Sequence, residues 1–278
     1  MSAINNLVVV SDLHCGCRMG LCTADIPLDG GGFYTQSVIQ KASSLWWDEF
    51  WNDWVPEATR GEPFAVVVNG DAVEGTHHGS KTPISHNHAD QQRAAEIALQ
   101  PVVAACGGRF YMVRGTEAHV GQSSENEERL GQALGAVRNE KGAATSYSLR
   151  LRVGPALVHL AHHIGGSSKI GTAASAITAE YEQMLANSAR WGWEPPDVIV
   201  RSHIHSNIEV KMPTARQFGM CLITPAWQAM TPFGRKIRVG RVSEAQMGGI
   251  LIRAEGDDVY SRSFVRCMEP AKEVEIAP

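Results

Sequence analysis

The chain has 278 residues, of which 44% are hydrophobic and 19% charged, and it carries a formal net charge of -4 at pH 7. Such a chain is long enough to bury a large core, and its small negative charge gives no global pull toward nucleic acid or anionic membranes. Residues 1–6 lack the pattern of a signal peptide and no run approaches the ~20 apolar residues of a membrane span, so a soluble, cytoplasmic protein is expected, with no membrane partner. The six cysteines read as reduced packing residues, because Cys15, Cys17 and Cys22 have no second cysteine pair to complete a zinc site.

In chain order, Val8-Val9-Val10 reads as a buried parallel strand, since strands covered on both faces are continuous β-branched runs. It ends in Ser11-Asp12-Leu13-His14. A helix is expected from about Ser37 to Val55, carrying Leu45, Trp46, Trp47, Phe50, Trp51 and Trp54 on one broad face. That face suits core packing, or alternatively a base-stacking or oligomer surface. Pro63 to Val68 forms the next buried strand and ends in Asn69-Gly70-Asp71. The loop after it holds His77, His78, His86 and His88, and a helix from about Asp90 to Ala105 follows. Arg109 to Arg114 is a third strand, closed by Gly115-Thr116-Glu117-Ala118-His119.

A charged helix is expected from Glu125 to about Ala136, then an alternating, half-exposed antiparallel strand from Thr145 to Val153. Pro155 to Ala161 is buried again and stops at His162-His163. The two imidazoles point to opposite faces of a strand, so one of them meets the site and His162, the first at the strand end, is preferred. A helix over 172–190 leads to Asp197–Val200 and then Arg201-Ser202-His203-Ile204-His205, and shorter strands fill residues 208–265. A single domain over residues 1–278 is expected, with no internal repeat.

Asp12, His14, Asp71, His162, His203 and His205 all follow apolar strands, and side chains beyond the carboxyl ends of strands converge on one rim of a sheet. Mixed Asp and His donors suit divalent ions such as Zn, Mn, Fe or Ni. The ordered set Asp12-x-His14, Gly70-Asp71, Gly115-Thr116-Glu117-Ala118-His119, His162 and Ser202-His203-x-His205 resembles the calcineurin-like metallophosphoesterase superfamily. The resemblance implies the α/β (α+β) four-layer α-β-β-α sandwich with mixed sheets. It also implies two divalent metal ions, with Asp12, His14 and His205 on one, His162 and His203 on the other, and Asp71 bridging. The implied reaction is hydrolysis of a phosphodiester or phosphomonoester by in-line attack of a hydroxide shared between the ions.

Two departures mark this chain. Ser202 replaces the glycine before the last His-x-His, and Thr116-Glu117-Ala118-His119 stands where the pattern has a metal-binding asparagine followed by a histidine. By the resemblance Glu117 would supply the missing oxygen ligand and His119 would serve the leaving group. Arg235, Lys236, Arg238 and Arg241 place four cations in seven residues. They would either grip an anionic substrate, with Trp227 or Phe233 stacking, or form a solvated face. The resemblance implies a phosphate-ester substrate, a nucleotide or nucleic acid among the candidates; the rival readings are a nuclease and a degenerate metal-binding scaffold.

Overall fold

The computed structural model describes residues 4–76, 81–121, 125–165, 170–214, 217–231 and 245–268. The chain begins with β1 (Asn6–Val10), a small hairpin of β2 (Ile26–Pro27) and β3 (Phe33–Tyr34), and α1 (Val38–Glu49). Ser37 caps α1 in a reciprocal box with Gln40, which satisfies two helix-end donors at once. A π-helical turn, Phe50–Trp54, joins α1 to the short α2 (Val55–Ala58). Pro56 has no N–H to continue a regular ladder, and the widened turn lies just before it.

The remaining elements are β4 (Ala65–Asn69), α3 (His88–Ala105), β5 (Phe110–Val113), α4 (Glu117–Val120), α5 (Glu125–Ala133), β6 (Thr145–Ser146), β7 (Ser148–Val153), β8 (Ala156–Ala161), α6 (Ile170–Trp191), β9 (Val198–Arg201), β10 (Ile208–Thr214), β11 (Gln217–Ile223), β12 (Gln246–Glu255) and β13 (Asp258–Cys267). They form a six-stranded sheet in the order β13-β12-β1-β4-β5-β6 and a five-stranded sheet in the order β10-β11-β9-β8-β7. β1, β4, β5 and β6 run parallel, as do β8, β9 and β11. The outer strands β12, β13, β7 and β10 pair antiparallel, so both sheets are mixed.

Alternation along each strand separates the layers. Val8 and Val10 of β1, with Val66 and Val68 of β4, pack under Trp47, Phe50, Ala95, Leu99 and Leu130 of the helices. Leu7, Val9 and Val67 face the other way, against Val158, Leu160, Val198, Val200, Met220 and Leu222 of the second sheet. Ile199, Cys221 and Ile223 on the far side of that sheet meet Ala173, Ile177 and Tyr181 of α6. The architecture is therefore the expected four-layer α-β-β-α sandwich.

One expected strand divides. Thr145 to Val153 is not a single antiparallel strand: β6 pairs parallel with β5 in the first sheet, and β7 pairs with β8 in the second. The exposed Tyr147 marks the crossing, with the Arg114 guanidinium 4.6 Å over its ring. None of the described helices is long and apolar enough to cross a membrane.

The aromatic face of α1 and its π turn belongs to the core. Trp47 is 4% exposed and meets the Trp227 ring edge-on at 4.8 Å, whereas Leu45 on the same helix is 69% exposed. Trp47→Ala is therefore expected to cost about 3–5 kcal/mol in urea unfolding, and Leu45→Ala to stay within about 0.5 kcal/mol of the parent. Equal costs at the two positions would show that this face is not core.

Candidate metal centre

The strand ends are held in place by backbone pairing between loops. The Asp12 N–H donates to Gly70 O and the His14 N–H to Asp71 O, both at 3.0 Å, while the Ser202 N–H donates to His162 O at 2.9 Å. Among the described residues six non-glycine positions have positive φ, and five of them are Asp12, His14, Asp71, His203 and His205. Each left-handed residue of this kind costs about 1–2 kcal/mol, and such outliers persist where the surroundings over-determine them, commonly at functional sites. Two glycines permit the close approach. A Cβ on Gly70 would come within 2.4 Å of His162 Nδ1, and one on Gly115 within 2.1 Å of Asp71 Oδ1.

Three groupings of candidate ligands result among the described residues: His14, Glu74 and His119 form one, and the strand-end residues form the other two. Asp12, His14 and His205 place donor atoms within 4.8 Å of one another, and so do Asp12, Asp71, His162 and His203. Asp12 is common to these last two groupings, and Asp71, the expected bridge, falls only in the second of them. Asp12 Oδ2 accepts from the Ser11 hydroxyl at 2.7 Å and from the His203 N–H at 3.2 Å. Its Oδ1 is buried without a hydrogen-bond partner among the described residues, as is His14 Nε2. Oδ1 lies 3.3 Å from His205 Nε2 and 3.9 Å from both His14 Nε2 and His162 Nε2. Buried polar atoms are ordinarily paired, so orphaned oxygen and nitrogen lone pairs aimed at one another fit a divalent cation between them.

The charges are strongly interdependent. Burial opposes the charge on His162, yet the Asp71 and Asp12 carboxylates overcome it and raise the imidazole to about 10. Burial likewise works against ionised Asp71, but His162, 3.0 Å from its Oδ2, holds it well below the usual carboxylate range. His162 Nδ1 faces Asn69 O at 2.7 Å. A carbonyl only accepts, so Nδ1 carries the proton and Nε2 is the ligand atom in the neutral ring.

Glu74 makes the corresponding arrangement for His14 and was not singled out from sequence. Its Oε2 accepts from His14 Nδ1 at 3.0 Å, which leaves His14 Nε2 bare. Gln228 Nε2 also donates to Glu74 Oε2, at 3.3 Å. The main-chain oxygen of Glu74 accepts from His119 Nδ1 at 2.6 Å. His119 stands edge-on to His14 with ring centroids 4.5 Å apart, and burial together with His14 lowers it to about 4. The only trace of Glu74 in the sequence is its place three residues after Asp71 in the same strand-end loop.

Glu117 is placed differently from the expectation. It is exposed and belongs to none of the ligand groupings. The oxygen that reaches the second grouping belongs to Thr116, whose hydroxyl donates to Asp71 Oδ2 at 2.9 Å and lies 3.4 Å from His162 Nε2 and 3.3 Å from His203 Nδ1. Thr116 is extended (φ -74, ψ 136) and precedes α4, so its side chain turns inward and the first helical residue, Glu117, turns out. His162 is buried and His163 exposed, with the His163 ring 5.2 Å from that of His203. His88 bonds Thr76 at 3.0 Å instead of joining a ligand grouping, and His86 is likewise in none. His77, His78, Phe233, Arg235, Lys236, Arg238 and Arg241 lie outside the described residues. Trp227 is wholly buried between Trp47 and Phe50 and is closed to substrate stacking.

No family model and no curated protein matches the chain. Solved structures similar to it include Vacuolar Protein Sorting 29 from Cryptosporidium parvum, at 10% identity over 96% of this chain and 100% of that one, with a TM-score of 0.40. A double mutant of Vps29 from Entamoeba histolytica aligns at 10% identity over 94% and 99% of the two chains with a TM-score of 0.42. Wild-type Vps29 from the same organism, complexed with zinc, aligns at 12% over 95% and 97% with a TM-score of 0.38. Likeness at these levels assigns no residue a role.

The elevated His162 has two opposite consequences with pH. A group raised from 6.5 to about 10 on folding stabilises the metal-free fold fully below 6.5 and loses that contribution as pH rises toward 10. The same proton must leave before Nε2 can bind a cation. Metal-free stability is expected to fall between pH 7 and 10 while Mn²⁺ affinity rises, with proton release visible as a buffer-dependent enthalpy in calorimetry. A metal affinity flat across this interval would contradict the assignment of His162.

Proposed function

We propose that this chain is a metal-dependent phosphoesterase of the calcineurin-like type that cleaves phosphodiester or phosphomonoester bonds. The observation that carries the reading is the pair of buried atoms Asp12 Oδ1 and His14 Nε2, 3.9 Å apart and without a hydrogen-bond partner among the described residues, amid five strand-end residues with positive φ. Asp12, His14 and His205 would hold one divalent ion, and Asp71, His162 and His203, with Asp12 shared, the other. Bound there, such ions would supply a water that is nucleophilic near neutral pH and would neutralise charge building on phosphoryl oxygens.

The protein's own groups orient this chemistry. Thr116 clamps Asp71 with both its N–H (2.7 Å to Oδ1) and its hydroxyl. Glu127 is fully buried and accepts from the N–H groups of Ala72 and Gly115 at 3.0 and 2.7 Å. It thereby ties the loop of Asp71 to the loop of Thr116. His119, the least buried member of the His14–Glu74–His119 group, has its Nδ1 proton committed to Glu74 O. Nε2 would then be the nitrogen that takes up a proton and passes it to the leaving-group oxygen.

The test is turnover of an aryl phosphodiester by the Mn²⁺-loaded protein. His119→Ala is expected to lower kcat by about 10²–10⁴-fold with Mn²⁺ affinity essentially unchanged. No turnover of any phosphomonoester, phosphodiester or nucleic acid by the loaded parent protein would support the scaffold reading instead.

A further inference from the structure

Asp12 Oδ1 and Oδ2 face different worlds, and the reason lies in four residues that no ligand grouping contains. Asn69, Ser202, Thr224 and Ser11 are fully buried, as is Asp12 itself. Asn69 Nδ2 donates to Ser202 Oγ at 2.7 Å, Ser202 Oγ lies 2.7 Å from Thr224 Oγ1, Thr224 Oγ1 lies 2.7 Å from Ser11 Oγ, and Ser11 Oγ donates to Asp12 Oδ2 at 2.7 Å. Asn69 and Ser11 follow or end strands of the first sheet, Ser202 and Thr224 strands of the second. The chain of hydroxyls therefore crosses the sandwich directly beneath the candidate metal centre.

Its proton order is fixed by its two ends. A carboxylate only accepts, so the single Ser11 proton is committed to Asp12. Ser11 must then accept from Thr224, which in turn must accept from Ser202. Ser202 accepts from Asn69, whose amide orientation is set by a second donation to Ala161 O at 3.0 Å. The competing acceptors, Pro225 O for Ser11 and Arg201 O for Thr224, are farther away at 3.4 Å. Four donations running in one direction polarise one another, and all of that polarisation ends on Oδ2.

We propose that Thr224 is a positioning residue for the metal centre, its hydroxyl closing a one-directional chain from Asn69 to Asp12 that saturates Oδ2 and presents Oδ1 alone to a divalent cation. The inference rests on the reading of Asp12 as a metal ligand. It gives Ser202, the departure from glycine, a use: the first hydroxyl of the chain, the one that accepts from Asn69. Outer partners of this kind orient a ligand that they do not replace, and their loss weakens metal binding without abolishing it.

The test uses the full chain, titrated with Mn²⁺ by calorimetry and with Co²⁺ by visible absorption. Thr224→Val, which keeps the shape and removes the hydroxyl, is expected to weaken Mn²⁺ binding about 10–100-fold and shift the Co²⁺ bands. Thr224→Ser is expected to restore both. Ser11→Ala breaks the same chain one link on and serves where Thr224→Val does not fold, and the double variant is expected to bind no more weakly than the worse single one. A folded Thr224→Val or Ser11→Ala protein that binds Mn²⁺ like the parent with unshifted Co²⁺ bands, its only change a lower melting temperature, overturns the inference. Asp12→Asn distinguishes the two levels: if it abolishes binding while Thr224→Val does nothing, only the positioning role is lost, and if it too binds normally, the metal centre itself is disproved.

Discussion

Two carboxylates with almost no solvent, Asp12 at 0% and Asp71 at 1% exposure, end neighbouring parallel strands and point into one rim of the sandwich. Ionised carboxylates in such surroundings are costly unless paired or bound to a cation. In the metal-free protein His162 supplies the compensation at 3.0 Å from Asp71, and it must carry a proton to do so. Much of the surrounding structure consists of ways of holding this unfavourable arrangement together: the interlocked loops, the left-handed residues, the glycines at 70 and 115, and the neutral donors that converge on each carboxylate.

The site belongs to neither sheet alone. The first sheet brings Asp12, His14, Asp71 and Thr116, and the second brings His162, His203 and His205. The apolar layer between them, with Leu7, Val9 and Val67 against Val158, Leu160, Val198 and Val200, therefore sets the distances among the ligands. Thr224 adds a polar stitch where that layer reaches the rim, and Trp227 a backbone one, its N–H donating to Asp12 O at 3.0 Å. The aromatic cluster of α1 and its π turn buttresses this segment from behind through Trp47 and Phe50.

The carboxylates and histidines were readable in the sequence because buried parallel strands write themselves as runs such as Val8-Val9-Val10, and polar residues just beyond them stand out. The four layers were an expectation from the family resemblance and not from the strand pattern alone. What escaped were partners chosen by three-dimensional proximity. Thr224 is 213 residues from Ser11, and Glu74 is 60 from His14, with no local pattern to connect them. The family pattern points to Glu117 as the oxygen donor, but the start of α4 leaves Glu117 exposed and places the Thr116 hydroxyl beside Asp71. Over 145–153 the alternation fits either sheet, and only the pairing shows that the segment serves both.

Anomalous X-ray scattering from crystals grown with Mn²⁺ tests the central claim most directly. The account predicts two peaks at the rim, one among Asp12, His14 and His205 and one among Asp12, Asp71, His162 and His203, with Thr116 beside the second. Crystals in which this rim shows no anomalous peak, while His162 remains paired with Asp71, would contradict it.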